Sequence, residues 1–84
     1  MNITLDKLPV LKTGIVQEIN VDDDLKIRLF DIGLIKGTSI KKIYKSPLND
    51  PCAYKIRNST ISLRNTDTNK IIVYYEVDDK NGIN

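Results

Sequence analysis

The side chains that could bind a metal or attack a substrate are few, and each lacks a companion. Carboxylates cluster at Asp22, Asp23 and Asp24, and again at Glu76, Asp78 and Asp79. A single thiol stands at Cys52, and hydroxyls recur at Ser39, Ser46, Ser59 and Ser62. The 84 residues contain no histidine, which removes the commonest general base and the commonest transition-metal ligand. A serine without a base is a poor nucleophile. One cysteine cannot build a thiolate zinc site. Neither acidic run has the central glycine and closing glutamate of a calcium loop. The three aspartates read instead as the start of a helix, where carboxylates meet free N–H groups. The second acidic group reads as a solvated tail, and Cys52, on the apolar side of a strand pattern, as an inert buried thiol. The stretch "GLIKG", Gly33 to Gly37, has neither the phosphate-loop nor the dinucleotide spacing. The expectation is no enzyme, no catalytic residue, no metal ligand and no cofactor.

Nucleic acid is the next chemistry to weigh. "IKKIYK" sets Lys41, Lys42 and Lys45 beside Tyr44, a basic strand with one aromatic. Thirteen basic against eleven acidic residues leave a formal charge of only +2, too little for a concentrated phosphate-binding surface. The lysines are read as guards on an edge strand, and no nucleic-acid partner is expected. One cysteine allows no internal disulfide, which suits a reducing compartment. "MNITLDKLPVLKTG" has no apolar run after a basic segment, and no stretch approaches the ~20 apolar residues of a membrane span. A soluble, cytoplasmic protein without membrane insertion is expected.

The elements follow from local pattern. Leu5, Leu8 and Leu11 recur every third residue before Gly14, as in a helical turn or tucked lead-in. "GIVQEINV" predicts a strand with a bulge or double-sided start near Gly14, and Ile19 and Val21 on the side of Ile15. Leu25, Leu29 and Ile32 then share one helical face behind the acidic cap, and Gly33 stands where a left-handed stop is wanted. Thr38 to Lys45 predicts a strand with Ile40 and Tyr44 on one face, and Ile43 on the other or after a bulge. "SPLNDP" is an exposed loop with two fixed φ angles. "CAYKIRN" alternates, with Cys52, Tyr54 and Ile56 inward. A tight turn at Asn58, where positive φ is tolerated, leads into "TISLR". A helical turn capped by Asn65 or Thr66 precedes a last strand in "KIIVYYEV". Five short strands and one helix after the first predict an all-β fold that closes into a small barrel. Residues 1–77 are expected to form the domain and 78–84 a polar tail. With Leu25, Leu29 and Ile32 inward, Ile27 and Phe30 fall on the outer helical face, as a contact patch would.

One combination is specific. Leu25, Arg28, Leu29, Asp31, Gly33, Leu34 and Gly37 are followed by Pro47, Leu48, Asp50 and Pro51. Arg57, Ile61 to Arg64, Asp67, Lys70, Ile71 and Val73 complete the set. On these residues the chain, from about Thr4 to Val73, resembles the FeoA-like proteins, small partners of the bacterial ferrous-iron transporter FeoB. Lys36 stands where the family often has proline, Asn58 where it often has glycine, and Ile27 where it often has a basic residue. The resemblance implies an SH3-like barrel with a helix inserted after the first strand. It also implies a role in ferrous-iron uptake through the cytoplasmic part of FeoB, peripheral to the inner membrane. On this reading Leu25, Leu29, Ile32, Gly33, Gly37, Pro47 and Pro51 are structural anchors. Ile27, Phe30, Leu48 and Asp50 are the candidate partner contacts. Self-association is left open. The alternatives are an SH3-like domain related to the C-terminal domain of metal-dependent repressors, and a small nucleic-acid-binding barrel.

Overall fold

A computed structural model describes residues 1–76; Val77, Asp78, Asp79 and the rest of the expected tail lie outside the described residues. Six antiparallel strands form one sheet: β1 (Asn2–Thr4), β2 (Thr13–Ile19), β3 (Ser39–Lys45), β4 (Cys52–Ile56), β5 (Ser59–Leu63) and β6 (Ile71–Tyr74), in the order β1-β6-β2-β3-β4-β5. Helix α1 (Asp23–Asp31) links β2 to β3, and a four-residue turn, α2 (Asn65–Thr68), links β5 to β6. The fold is the expected mostly-β one, with two differences. An unexpected strand, β1, pairs with β6, so α1 follows the second strand. The hydrogen-bonded order also ends at β1 and β5, so the strongly bent sheet does not close.

β1 is held where local pattern is silent. Its three residues are too few to show a period, and the Tyr75 N–H donates to the Met1 carbonyl at 2.8 Å across the sheet. The 3₁₀ turn Leu5–Lys7 then tucks Leu5 and Leu8 into the core. Leu11 leaves the expected series. It is exposed and takes a left-handed φ of 72°.

Two bulges correct the face assignments. The β2–β6 register slips at Gln17, between Val16 and Glu18. The extra residue puts Ile19 in phase with buried Val16, not with Ile15. The β3–β4 register slips at Ile43, between Lys42 and Tyr44. Ile40 therefore points inward while Tyr44 is exposed, contrary to the expected shared face. β3 is also not an edge: it lies between β2 and β4. At the β4–β5 hairpin the left-handed residue is Arg57, φ 52°, and not Asn58.

The core gathers Leu5 and Leu8 from the lead-in turn, Val16, Ile40, Tyr54, Ile56, Ile71 and Val73 from the sheet, and Leu25, Leu29 and Leu34 from the helix and its exit. Gly14 is required by the closeness of β2 to β6: a Cβ there would lie 2.8 Å from Val73 Cγ2 and 2.9 Å from Val73 Cβ.

Two stability outcomes follow. Leu29 is 2 % exposed, so Leu29→Ala should cost ~2–5 kcal/mol, a large part of the roughly 4–12 kcal/mol available to a domain this size. Gly14→Ala overpacks a buried contact and should cost about 1–3 kcal/mol. Urea melts of both variants check this, and midpoints equal to the parent's would refute the packing described.

Candidate functional site

The surface of interest is built around α1. Asp22 caps the helix: its Oδ1 accepts from the Leu25 N–H at 2.9 Å, and Asp23 and Asp24 follow in the first turn. At the other end the Gly33 N–H donates to the Phe30 carbonyl at 2.9 Å and the Leu34 N–H to the Leu29 carbonyl at 2.8 Å. This is a Schellman stop, and it needs the left-handed φ of +93° that Gly33 supplies. Leu34 and Leu29 then share the core. The exit is locked by Thr38, whose Oγ1 donates to the Gly33 carbonyl at 2.9 Å and accepts from the Ile35 N–H at 3.1 Å. The Gly37 N–H bonds the Val16 carbonyl at 2.8 Å, fastening the exit to β2.

With both ends pinned, α1 has a fixed rotation. Leu25 and Leu29 are buried and Ile32, at the C-cap, is half-buried against the core. Ile27 is 60 % and Phe30 65 % exposed. Phe30 forms one wall of a surface groove of about 240 Å³ whose other apolar walls are Ile19, Leu34 and Ile35, with Lys26 and Lys36 among its polar neighbours. On its other side Phe30 shares a shallower cleft of about 410 Å³ with Asp23, Lys26 and Ile27. The groove residue Ile35 was missed from the sequence. The signal was "LI" between two glycines, of which one side chain turns in and the other stays out.

The proline-framed loop lies elsewhere. Leu48 is 86 % exposed. Asp50 is half-buried, and its Oδ1 accepts from the Asn65 N–H at 2.9 Å while its own N–H donates to Ser46 Oγ. The Asn65 side-chain amide bonds the Asn49 carbonyl at 2.9 Å. The loop thus holds the start of α2, which neither Asn65 nor Thr66 caps with its own side chain. The cleft beside this loop is lined by the lead-in from Asp6 to Val10, with Lys42, Asn49 and Asn65, and by no residue of α1. Leu48 and Asp50 therefore do not join Ile27 and Phe30 in one cleft.

Lys42 was assigned to a guarded edge and is instead 3 % exposed. Its Nζ donates to the Asp6 carbonyl at 2.9 Å and lies 5.8 Å from the centre of the Tyr54 ring. Burial lowers its pKa below the ordinary lysine value, with Cys52 and Asp6 acting in the opposite sense. Its place two residues after inward Ile40 was the available signal. Among the described residues no group of three or more His, Cys, Asp or Glu side chains is arranged to hold a metal ion.

A bent antiparallel sheet carrying one inserted helix and a short turn before its last strand is a small SH3-like domain. Residues 3–75 match the FeoA domain model, and the chain belongs to that family. Over 71 residues it is 31 % identical to a Campylobacter jejuni protein provisionally described as Fe(2+) transport protein A, covering 84 % of this chain and 96 % of that one. The solution structure of FeoA from Chlorobium tepidum is similar, with a TM-score of 0.84 at 23 % identity, over 89 % of this chain and 71 % of that one. So is a zinc-complexed FeoA of Stenotrophomonas maltophilia, described as a prokaryotic SH3-domain protein, with a TM-score of 0.73 at 23 % identity, over 84 % and 88 % of the two chains. A manganese-dependent transcriptional repressor shares the fold, with a TM-score of 0.78 at 17 % identity over 89 % of this chain and 42 % of that one.

The buried lysine makes a pH prediction. A lysine whose pKa is lower folded than unfolded binds fewer protons in the native state across that interval, so its penalty is relieved as pH rises towards 10.5. Tyr54, whose phenol burial holds above its usual range, loses its contribution as pH rises past the unfolded value, and it is present in both proteins compared. The stability of the parent relative to Lys42→Met should rise between neutral pH and pH 10.5 in denaturant melts. A pH-independent difference would show that the ammonium is not desolvated.

Proposed function

We propose that this chain is an accessory protein of ferrous-iron uptake that acts by contact with the cytoplasmic part of an FeoB-type transporter. Membership of the FeoA family supports the iron-uptake setting. The observation that carries the contact reading is the pinned helix α1, which presents Ile27 and Phe30 outward beside a groove walled by Ile19, Leu34 and Ile35. Two large apolar side chains left in water on a rigid helix cost little further ordering when a partner covers them. The role is that of a regulator or assembly factor, without turnover, since a chain lacking histidine has few means of acid–base chemistry. The site of action is cytoplasmic, at the inner membrane through the partner. No helix among the described residues is long and apolar enough to cross a bilayer.

Of the four contact residues, Ile27 and Phe30 form the principal patch. Leu48 is a second point of contact on a loop whose shape Asp50 maintains, so Asp50 acts by holding Asn65. Co-purification of the cytoplasmic region of FeoB with the parent, Phe30→Asp and Leu48→Asp tests the reading. A central apolar anchor replaced by a charge should weaken binding by roughly thirtyfold or more, the ~2 kcal/mol of an interface hot spot, with a smaller loss for Leu48→Asp. Unchanged capture by both variants, each folded by circular dichroism, would remove the proposal.

A further inference from the structure

The open sheet has two ends, and they are not alike. β1 is three residues long, and shortness is itself a protection against stray pairing. β5, at the other end, runs five residues in unbroken register with β4 and, among the described residues, pairs with no other strand. Natural edges of that length are blunted by charge, proline, a bulge or a cover. The sequence Ser-Thr-Ile-Ser-Leu of β5 has no charge and no proline, and Ser59, Thr60 and Ser62 are exposed. Ile56 stands opposite Ser59 across the two-residue turn at Arg57 and Asn58. In a hairpin so closed, the closing pair is hydrogen-bonded and bonding alternates along the ladder. Thr60 and Ser62 therefore turn their N–H and C=O groups to the free side. Among the described residues, no backbone bond from outside the ladder reaches either of them.

The outer face beside this edge is charged. Lys41 stands opposite Lys55, and Lys55 opposite Thr60. Like charges directly across a ladder repel, and the row is completed by Thr13 and Thr60, neither of which can neutralise them. On the inner face Leu63 is buried and Ile61 half-buried. A strand laid along β5 would lie two strand spacings, about 10 Å, from Lys55, a gap that a lysine and a glutamate side chain span together.

We infer that β5 is a docking edge for an extended acidic segment of a partner protein, which adds to the sheet as a seventh strand. Its backbone pairs with Thr60 and Ser62. Its carboxylates answer Lys55 on the outer face, relieving the repulsion from Lys41 across the ladder, and its apolar side chains extend the row of Ile61 and Leu63. A second copy of β5 is the weaker occupant, because it brings hydroxyls to that position and leaves the lysine pair unanswered. Docking at this edge does not rest on the contact surface proposed for α1.

NMR titration of the labelled protein with a capped six-residue peptide of alternating valine and glutamate tests the inference, with the valine–lysine peptide as counterpart. At low salt the glutamate peptide should shift the Thr60 and Ser62 amides and bind about tenfold more tightly than the lysine peptide, as main-chain pairing with charge selection requires. Thr60→Pro, which removes an outward N–H and spares the bonds to β4, should abolish binding. The double variant Lys41→Glu, Lys55→Glu should reverse the peptide preference, and this readout stands if Thr60→Pro does not fold. No shift at β5, equal binding of the two peptides, or a dimer in sedimentation that Thr60→Pro dissolves would each overturn the acidic-partner assignment.

Discussion

The structure depends on how one helix ends. The Leu34 N–H reaches back to the Leu29 carbonyl and the Gly33 N–H to that of Phe30, so the chain reverses within two residues and Leu34 folds under Leu29. Only a residue at ease with positive φ permits this without a steric penalty. Thr38 then ties the exit at both ends, and Gly37 fastens it to β2. The helix has no rotational freedom left. Which side chains are buried and which face water is settled here, and so is the exposed position of Ile27 and Phe30.

The sheet follows a related economy. A domain of this size has little core to draw on, and it gains interior contact by bending sharply. Gly14 lets β2 approach Val73 of β6, and the bulges at Gln17 and Ile43 turn the strands around the same centre. The bend brings the stem of Lys42 inside and sets its ammonium against the Asp6 carbonyl, which accepts its hydrogen bond. The charge is held in a desolvated position because it ties the lead-in turn to β3, where a shorter residue would reach no carbonyl.

What was legible in the sequence was what is local. Asp22, the spacing of Leu25 and Leu29 and the stop at Gly33 lie within twelve residues, and each level of pattern agrees with the next. β4 alternates cleanly because it has one buried face, and the family resemblance, carried in part by the proline and glycine spacing, implied the SH3-like class. What was hidden is non-local or breaks period. Nothing near Asn65 shows that its N–H is capped by Asp50, fifteen residues earlier. β1 is too short to announce itself and exists because β6 offers it an edge. A bulge changes the parity of every later side chain, which is why Ile19 and Tyr44 were assigned to the wrong faces. Lys42 was hidden by its type, since a lysine is read as exposed until its neighbours' phase says otherwise. In the candidate site, Ile27 and Phe30 could be read from helical phase alone. Ile35 could not, because its exposure is set by the tied loop.

The central proposal is that the outer face of α1 and the loop after it form the surface by which this FeoA-family chain would meet an FeoB-type transporter. Cross-saturation NMR tests it most directly. Magnetisation is transferred from a protonated FeoB cytoplasmic region to the isoleucine methyls of the otherwise deuterated chain. The account predicts intensity loss at Ile27 and Ile35, with Ile40 and Ile56 in the core unaffected. A formed complex in which Ile27 and Ile35 keep their full intensity would contradict it.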